Sequence, residues 1–137
     1  MARRRIARPE GLSALRRCLT ALAGGSPAVV DRRTKATAVR FLLEELAAQA
    51  PGNSVEVRVP PFGVTQCGEG PRHTRGTPPN VVELSAEVWI ELATGGSSWA
   101  EATQRGQISA SGIRADLHQL LPLVGSAELG IAGHGNA

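Results

Sequence analysis

Tyrosine is absent from this chain, and two Phe and two Trp make up its whole aromatic content. The interior must therefore be aliphatic, built from Val, Leu, Ile and Ala, and a stacking platform for nucleic-acid bases is disfavoured. Lysine is almost missing too: Lys35 stands alone among fifteen basic residues. The two cysteines, Cys18 and Cys67, lie far apart. They imply no disulfide framework, so a cytoplasmic protein is expected. No segment approaches the roughly 20 apolar residues of a transmembrane helix. Arg3-Arg4-Arg5 imitates the basic start of a signal peptide, but Arg8, Pro9 and Glu10 follow at once. Arg16 and Arg17 then break the next apolar stretch, which leaves no hydrophobic signal core.

The 137 residues suffice for one domain around one core. The net charge of +3 conceals an asymmetry. Residues 1–40 carry ten basic groups against Glu10 and Asp31, whereas residues 41–137 carry five against ten acidic ones. A basic front of this kind is compatible with a weak contact between residues 1–40 and an anionic membrane. Nucleic acid is the less suitable partner, because no aromatic residues interleave with the arginines.

In chain order, residues 1–9 read as a basic, disordered lead, residues 10–125 as a single domain and residues 126–137 as a disordered tail. A helix is expected from Glu10, with Leu12, Leu15, Leu19 and Leu22 on one face, until Gly24-Gly25. A longer helix should start at Asp31 as N-cap and run to about Gln49. Its Ala36, Val39, Leu43, Leu46, Ala47 and Ala50 face inward, and Glu44 and Glu45 lie off that face. The period then drops to two: Val55, Val57 and Val59 alternate with Glu56 and Arg58, a strand with one buried side. Pro60-Pro61 has no N–H to give to a ladder, so the strand must bulge, bend or run along an edge there. Phe62, Val64 and Gln66 resume an extended run, and Val81–Leu84 form another strand.

Ser85 is an N-cap for a helix over Ala86–Thr94. Ser98 with Glu101 three residues on is a capping box for a shorter helix to about Gln104. Ile108 and Ala110 share one face of a further strand. A closing helix is expected over about Arg114–Leu121, ended by Pro122.

The Gly/Pro-rich stretch between Pro60 and Leu84 gathers Cys67, Arg72, His73 and Arg75. Cys67 and His73 are the one soft ligand pair close in sequence, too few for zinc, and no metal or cofactor is expected. A thiolate beside Arg72, His73 or Arg75 would be activated, but nothing in the sequence orients the histidine. No catalytic residue is assigned. Arg72, His73 and Arg75 are candidate contacts for an anionic head group.

Taken together, the block from Val81 through Ala93-Thr94-Gly95, Ser98-Trp99-Ala100-Glu101-Ala102, Gly106, Ser111-Gly112 and Arg114-Ala115-Asp116-Leu117 is similar to the C-terminal half of sterol-carrier-protein domains. Extended back through Val55-Glu56-Val57-Arg58-Val59-Pro60-Pro61-Phe62 and Arg75-Gly76-Thr77-Pro78-Pro79-Asn80, it resembles the small actinobacterial branch of that family, over roughly residues 31–124. The resemblance implies an α+β fold in which helices cover one face of a mostly antiparallel sheet of about five strands. It further implies non-enzymatic binding of an apolar or lipid-like ligand, fatty acyl or sterol-like, in an interior cavity. The cavity class comprises Val57, Val59, Phe62, Leu84, Trp89, Leu92, Ile108, Leu117 and Leu121, which would serve equally as ordinary close-packed core. The alternative is an accessory module that partners a larger enzyme, similar to the domain appended to mycothiol-dependent maleylpyruvate isomerases.

Overall fold

Two long helices and a strand hairpin set the frame of the computed structural model, which describes residues 6–25, 30–70 and 80–130. The first helix, α1 (Arg8–Ala23), carries Pro9 in its opening turn, where a missing N–H costs nothing. It buries Gly11, Ala14, Leu15, Cys18 and Leu19. The buried face is thus rotated from the all-leucine face: Leu12 and Leu22 are only half-buried, and small residues take their place. Gly11 shows why. A Cβ there would stand 2.3 Å from the ring of Phe41, so this contact between helices exists only with glycine.

The second helix, α2 (Arg32–Gln49), begins at Asp31, whose carboxylate accepts from the Thr34 N–H at 2.7 Å. It is buried on more than one side, because α1 packs on one flank and the sheet on the other. Glu45, expected to face outward, is buried. It accepts from Gln49 Nε2 at 2.8 Å and pairs with Arg8 at 3.4 Å.

Next come β1 (Val55–Val59) and β2 (Gly63–Cys67), then β3 (Val81–Leu84), α3 (Ala86–Thr94), α4 (Trp99–Gln104) and β4 (Ile108–Ser111). The sheet order is β2-β1-β3-β4. The pairs β1–β2 and β3–β4 are antiparallel, whereas β1 and β3 run parallel. Four strands are present among the described residues, where about five were expected. The diprolyl break resolves as a hairpin turn: Phe62 N–H donates to Val59 C=O at 2.9 Å and β2 returns along β1. Val55, Val57, Val59, Val82 and Leu84 point into the core beneath α2 and α3. Glu56, Arg58 and Glu83 lie on the opposite side of the sheet, which the alternation predicts.

Both short helices start as expected. Ser85 Oγ accepts from Val88 N–H, and Ser98 and Glu101 form the reciprocal capping box. The closing helix does not form. Only a single 3-10 turn, His118–Leu120, is present. Pro122 biases Leu121 to extended backbone, seen as φ −108 and ψ 147. Leu123 and Val124 are buried instead, and both their N–H groups donate to Ala93 C=O. Ser126–Leu129, within the stretch read as tail, forms one more turn, α5, with Leu129 buried.

Candidate functional site

Six of the nine residues assigned to the apolar cavity, Val57, Val59, Leu84, Trp89, Leu92 and Leu117, are buried in one continuous hydrophobic cluster. The Trp89 indole N–H donates to Val39 C=O at 3.3 Å, so its polar edge is satisfied inside α2. Phe62, Ile108 and Leu121 are half-buried against the same cluster. Phe62 sits at the hairpin turn, with the Arg32 guanidinium 5.5 Å from its ring centre and its carbonyl accepting from Arg40 Nε at 2.7 Å. Ile108 pairs across the strands with Leu84, beside a surface concavity of about 350 Å³ near Pro60 and Ser85.

The structure brings Leu92 and Leu121 together in a groove of about 330 Å³ between the α3–α4 turn and the 3-10 turn. Trp99 and Pro122 complete its apolar walls, and Ser97 and His118 supply polar groups at its edge. Gly95, in the left-handed region at φ 87, lets the chain leave α3 sharply and open this space. At the rim, Asp116 Oδ1 accepts from both the backbone N–H and Nδ1 of His118, each at 2.9 Å. The bond from the His118 backbone, then the ring, holds the Asp116 carboxyl below its ordinary value despite slight burial. Ser98 Oγ accepts from Glu101 N–H at 3.1 Å, which ties one wall of the groove to the cap of α4.

Neither cysteine is poised for chemistry. Both are buried, and burial pushes each thiol up to about 11. Both are therefore neutral near pH 7. Arg72, His73 and Arg75 lie outside the described residues. Lys35 bridges α2 to α3 through Glu87 at 2.7 Å, and this hydrogen bond lowers the Glu87 carboxyl from its ordinary value. A larger concavity, about 520 Å³, lies between α1 and the start of α2, bordered by Arg16, Arg17 and Asp31. Among the described residues no group of three or more His, Cys, Asp or Glu side chains could hold a metal ion. No helix among them is long and apolar enough to cross a membrane.

Sequence reasoning passed over the residues that join the sheet to its loops. Asn80 is buried; its Nδ2 donates to Ser54 C=O at 2.7 Å and its Oδ1 accepts from Arg114 N–H at 2.9 Å. Its own carbonyl accepts from Glu56 N–H at 2.9 Å. One asparagine thus fixes the parallel register of β1 and β3 and the exit from β4. An asparagine directly before an apolar run was the available signal, but its partners are distant in sequence. Trp99, Pro122 and His118 were likewise unassigned, because the groove exists only where three separate segments meet.

Helices over one face of a mixed four-stranded sheet, with an aliphatic interior, place the protein in the α+β class. The chain belongs to a sterol-carrier-protein-like bacterial family: the family described as bacterial SCP ortholog matches residues 31–123. A search of the curated proteins found no match.

Proposed function

We propose that the protein is a non-enzymatic binder of an apolar, lipid-like ligand, lodged at the groove between the α3–α4 turn and the 3-10 turn. The observation that carries this reading is the family match over residues 31–123, which spans every strand and the groove walls. The groove adds to it. Its volume of about 330 Å³ is at the lower end of the range for small-molecule pockets. Leu92 and Leu121 were expected among the ligand contacts on grounds of resemblance, and both line it. Val57, Val59 and Trp89 are fully buried as packed core and do not line the groove. The two buried neutral thiols support a role without covalent chemistry.

The test is binding of an uncharged polarity-sensitive dye such as Nile red, with native mass spectrometry of gently purified protein alongside. Saturable dye binding that long-chain lipids displace is expected. Leu121→Trp, which fills the groove from its half-exposed rim, should weaken the dye about tenfold, equivalent to about 1.4 kcal/mol. Absence of any saturable binding, with no co-purifying ligand, would sink the reading.

A further inference from the structure

The sheet ends at β4, and the direction of its backbone groups follows from the neighbouring strands. Glu56 N–H donates to Asn80 C=O at 2.9 Å, although its register partner in β3 is Val81. In a parallel pair this turns the backbone groups of Asn80, Val82 and Leu84 toward β1, and those of Val81 and Glu83 toward β4. Ser111 and Ser109, their register partners, therefore carry the β3–β4 hydrogen bonds. The N–H and C=O groups of Ile108 and Ala110 point away from the sheet, and neither N–H has a backbone partner elsewhere among the described residues.

Open strand edges are ordinarily guarded by a charge, a proline, a bulge or a covering element. The opposite edge, β2, is guarded: α2 packs against it, and Arg40 Nε donates to Phe62 C=O beside its turn at 2.7 Å. On β4 no such device is present among the described residues. Residues 106–113 contain no charged residue and no proline. The helix layer also stops short of it. Ala110 lies across the ladder from the fully buried Val82, on the same face, yet Ala110 is exposed. Just past the strand, Ile113 stands 99% exposed.

We propose that β4 is a self-association edge, occupied by β4 of a second copy of this chain in antiparallel pairing about a twofold axis at Ser109. The register follows from the outward groups. Ile108 of each copy faces Ala110 of the other, and each of these pairs exchanges two hydrogen bonds. A register centred on Ala110 would instead need the carbonyl of Gly112, which already accepts from Ala115 N–H at 3.3 Å. Gly112 has also left the strand, at φ 100. On the core side the branched Ile108 covers the exposed Ala110 of its partner. On the other side the two Ser109 hydroxyls meet as a non-hydrogen-bonded pair. The uncharged run brings no like charges together, and a twofold contact of this kind closes at the dimer. With only four residues in the strand, the dimer is weak and concentration-dependent.

Sedimentation velocity of the full chain, up to high micromolar concentration, should show a monomer–dimer equilibrium. Ala110→Lys should weaken it about tenfold, because the charge would be partly buried against Ile108 of the partner. The β3 ladder is untouched by this change, since Ala110 is exposed and directs its groups outward, and circular dichroism checks the fold. The register is tested by cross-linking under diamide, with the native Cys18 and Cys67 both buried. Ser109→Cys places two thiols at the axis, within disulfide reach, and should give a covalent dimer. Ser111→Cys places them about 14 Å apart along the strands, too far to bridge, and should give little. A monomer at every concentration, a dimer indifferent to Ala110→Lys, or cross-linking no faster at position 109 than at 111 would each overturn the proposal.

Discussion

Gly11 is the residue whose substitution best separates helix propensity from packing. It lies inside α1, where alanine would be preferred by about 1 kcal/mol in a solvated helix. Its position against the Phe41 ring reverses that preference. An added Cβ would meet three ring carbons between 2.3 and 2.7 Å, and the ring is fully buried in α2 with no room to withdraw. Overpacking of this kind costs about 1–3 kcal/mol, so Gly11→Ala should destabilise the protein in urea despite its better propensity. Combining it with Phe41→Leu should recover part of the loss, since the smaller side chain relieves the clash. A Gly11→Ala variant more stable than the parent would show that α1 does not pack as described. Gly52 makes a similar close approach within the α2–β1 connection: at φ 143, its Cβ would fall 1.9 Å from the Gly68 carbonyl oxygen. Neither constraint can be read from the sequence, where both glycines look like ordinary breakers.

Among the elements, those governed by local chemistry were legible and those governed by distant partners were not. The bounds of α2 follow from Asp31 and the Pro51-Gly52 stop, and α4 follows from its capping box. The parallel pairing of β1 with β3 leaves no periodic trace, because both strands simply alternate. Glu45 looks solvent-facing by spacing, yet it is buried since Arg8 and Gln49 reach it. The closing segment has helical periodicity, but it forms only a single 3-10 turn before Leu121 turns extended ahead of Pro122 and Leu123 and Val124 dock on Ala93. For the candidate site, the apolar class was legible at Leu92 and Leu121, while its polar edge at His118 was not.

The α2–α3 contact has a pH signature of its own. Lys35 holds the Glu87 carboxyl below its ordinary value, chiefly by their hydrogen bond. A carboxyl whose value is lower folded than unfolded contributes stability that is complete above the unfolded value. That contribution is lost as pH falls through the lowered folded one. Lys35→Met removes the cause, so the stability gap between parent and variant should be widest near neutral pH and narrow on the acid side of the ordinary glutamate range. Asp31 and Asp116 are also lowered, but they are common to both proteins and cancel in the difference. Urea midpoints at neutral pH and at about pH 3 measure the gap. A gap independent of pH would mean that the lysine acts through its aliphatic stem rather than its charge.

At the scale of the molecule, the family match begins at Asp31 and ends at Leu123, so α1 and α5 lie outside it. They are nonetheless tied to each other and to the matched part. Arg16 Nε donates to Leu129 C=O at 2.7 Å, Arg8 pairs with Glu128, and Leu15, Cys18 and Leu19 belong to the same core cluster as Trp89 and Val57. This arrangement makes α1 a part of one cooperative core rather than an appendage. Leu15→Ala, at a position with no exposed surface, should therefore cost about 2–5 kcal/mol. The loss should register at Trp89, whose indole is buried beyond α1 against α2. In a Trp99→Phe background Trp89 is the sole fluorophore, and its urea transition can be compared with the far-ultraviolet dichroism of all helices. One coincident transition, shifted to lower urea by Leu15→Ala, is the expected result. A Trp89 transition left in place while helicity is lost earlier would show that α1 melts on its own, and that residues 31–123 stand without it.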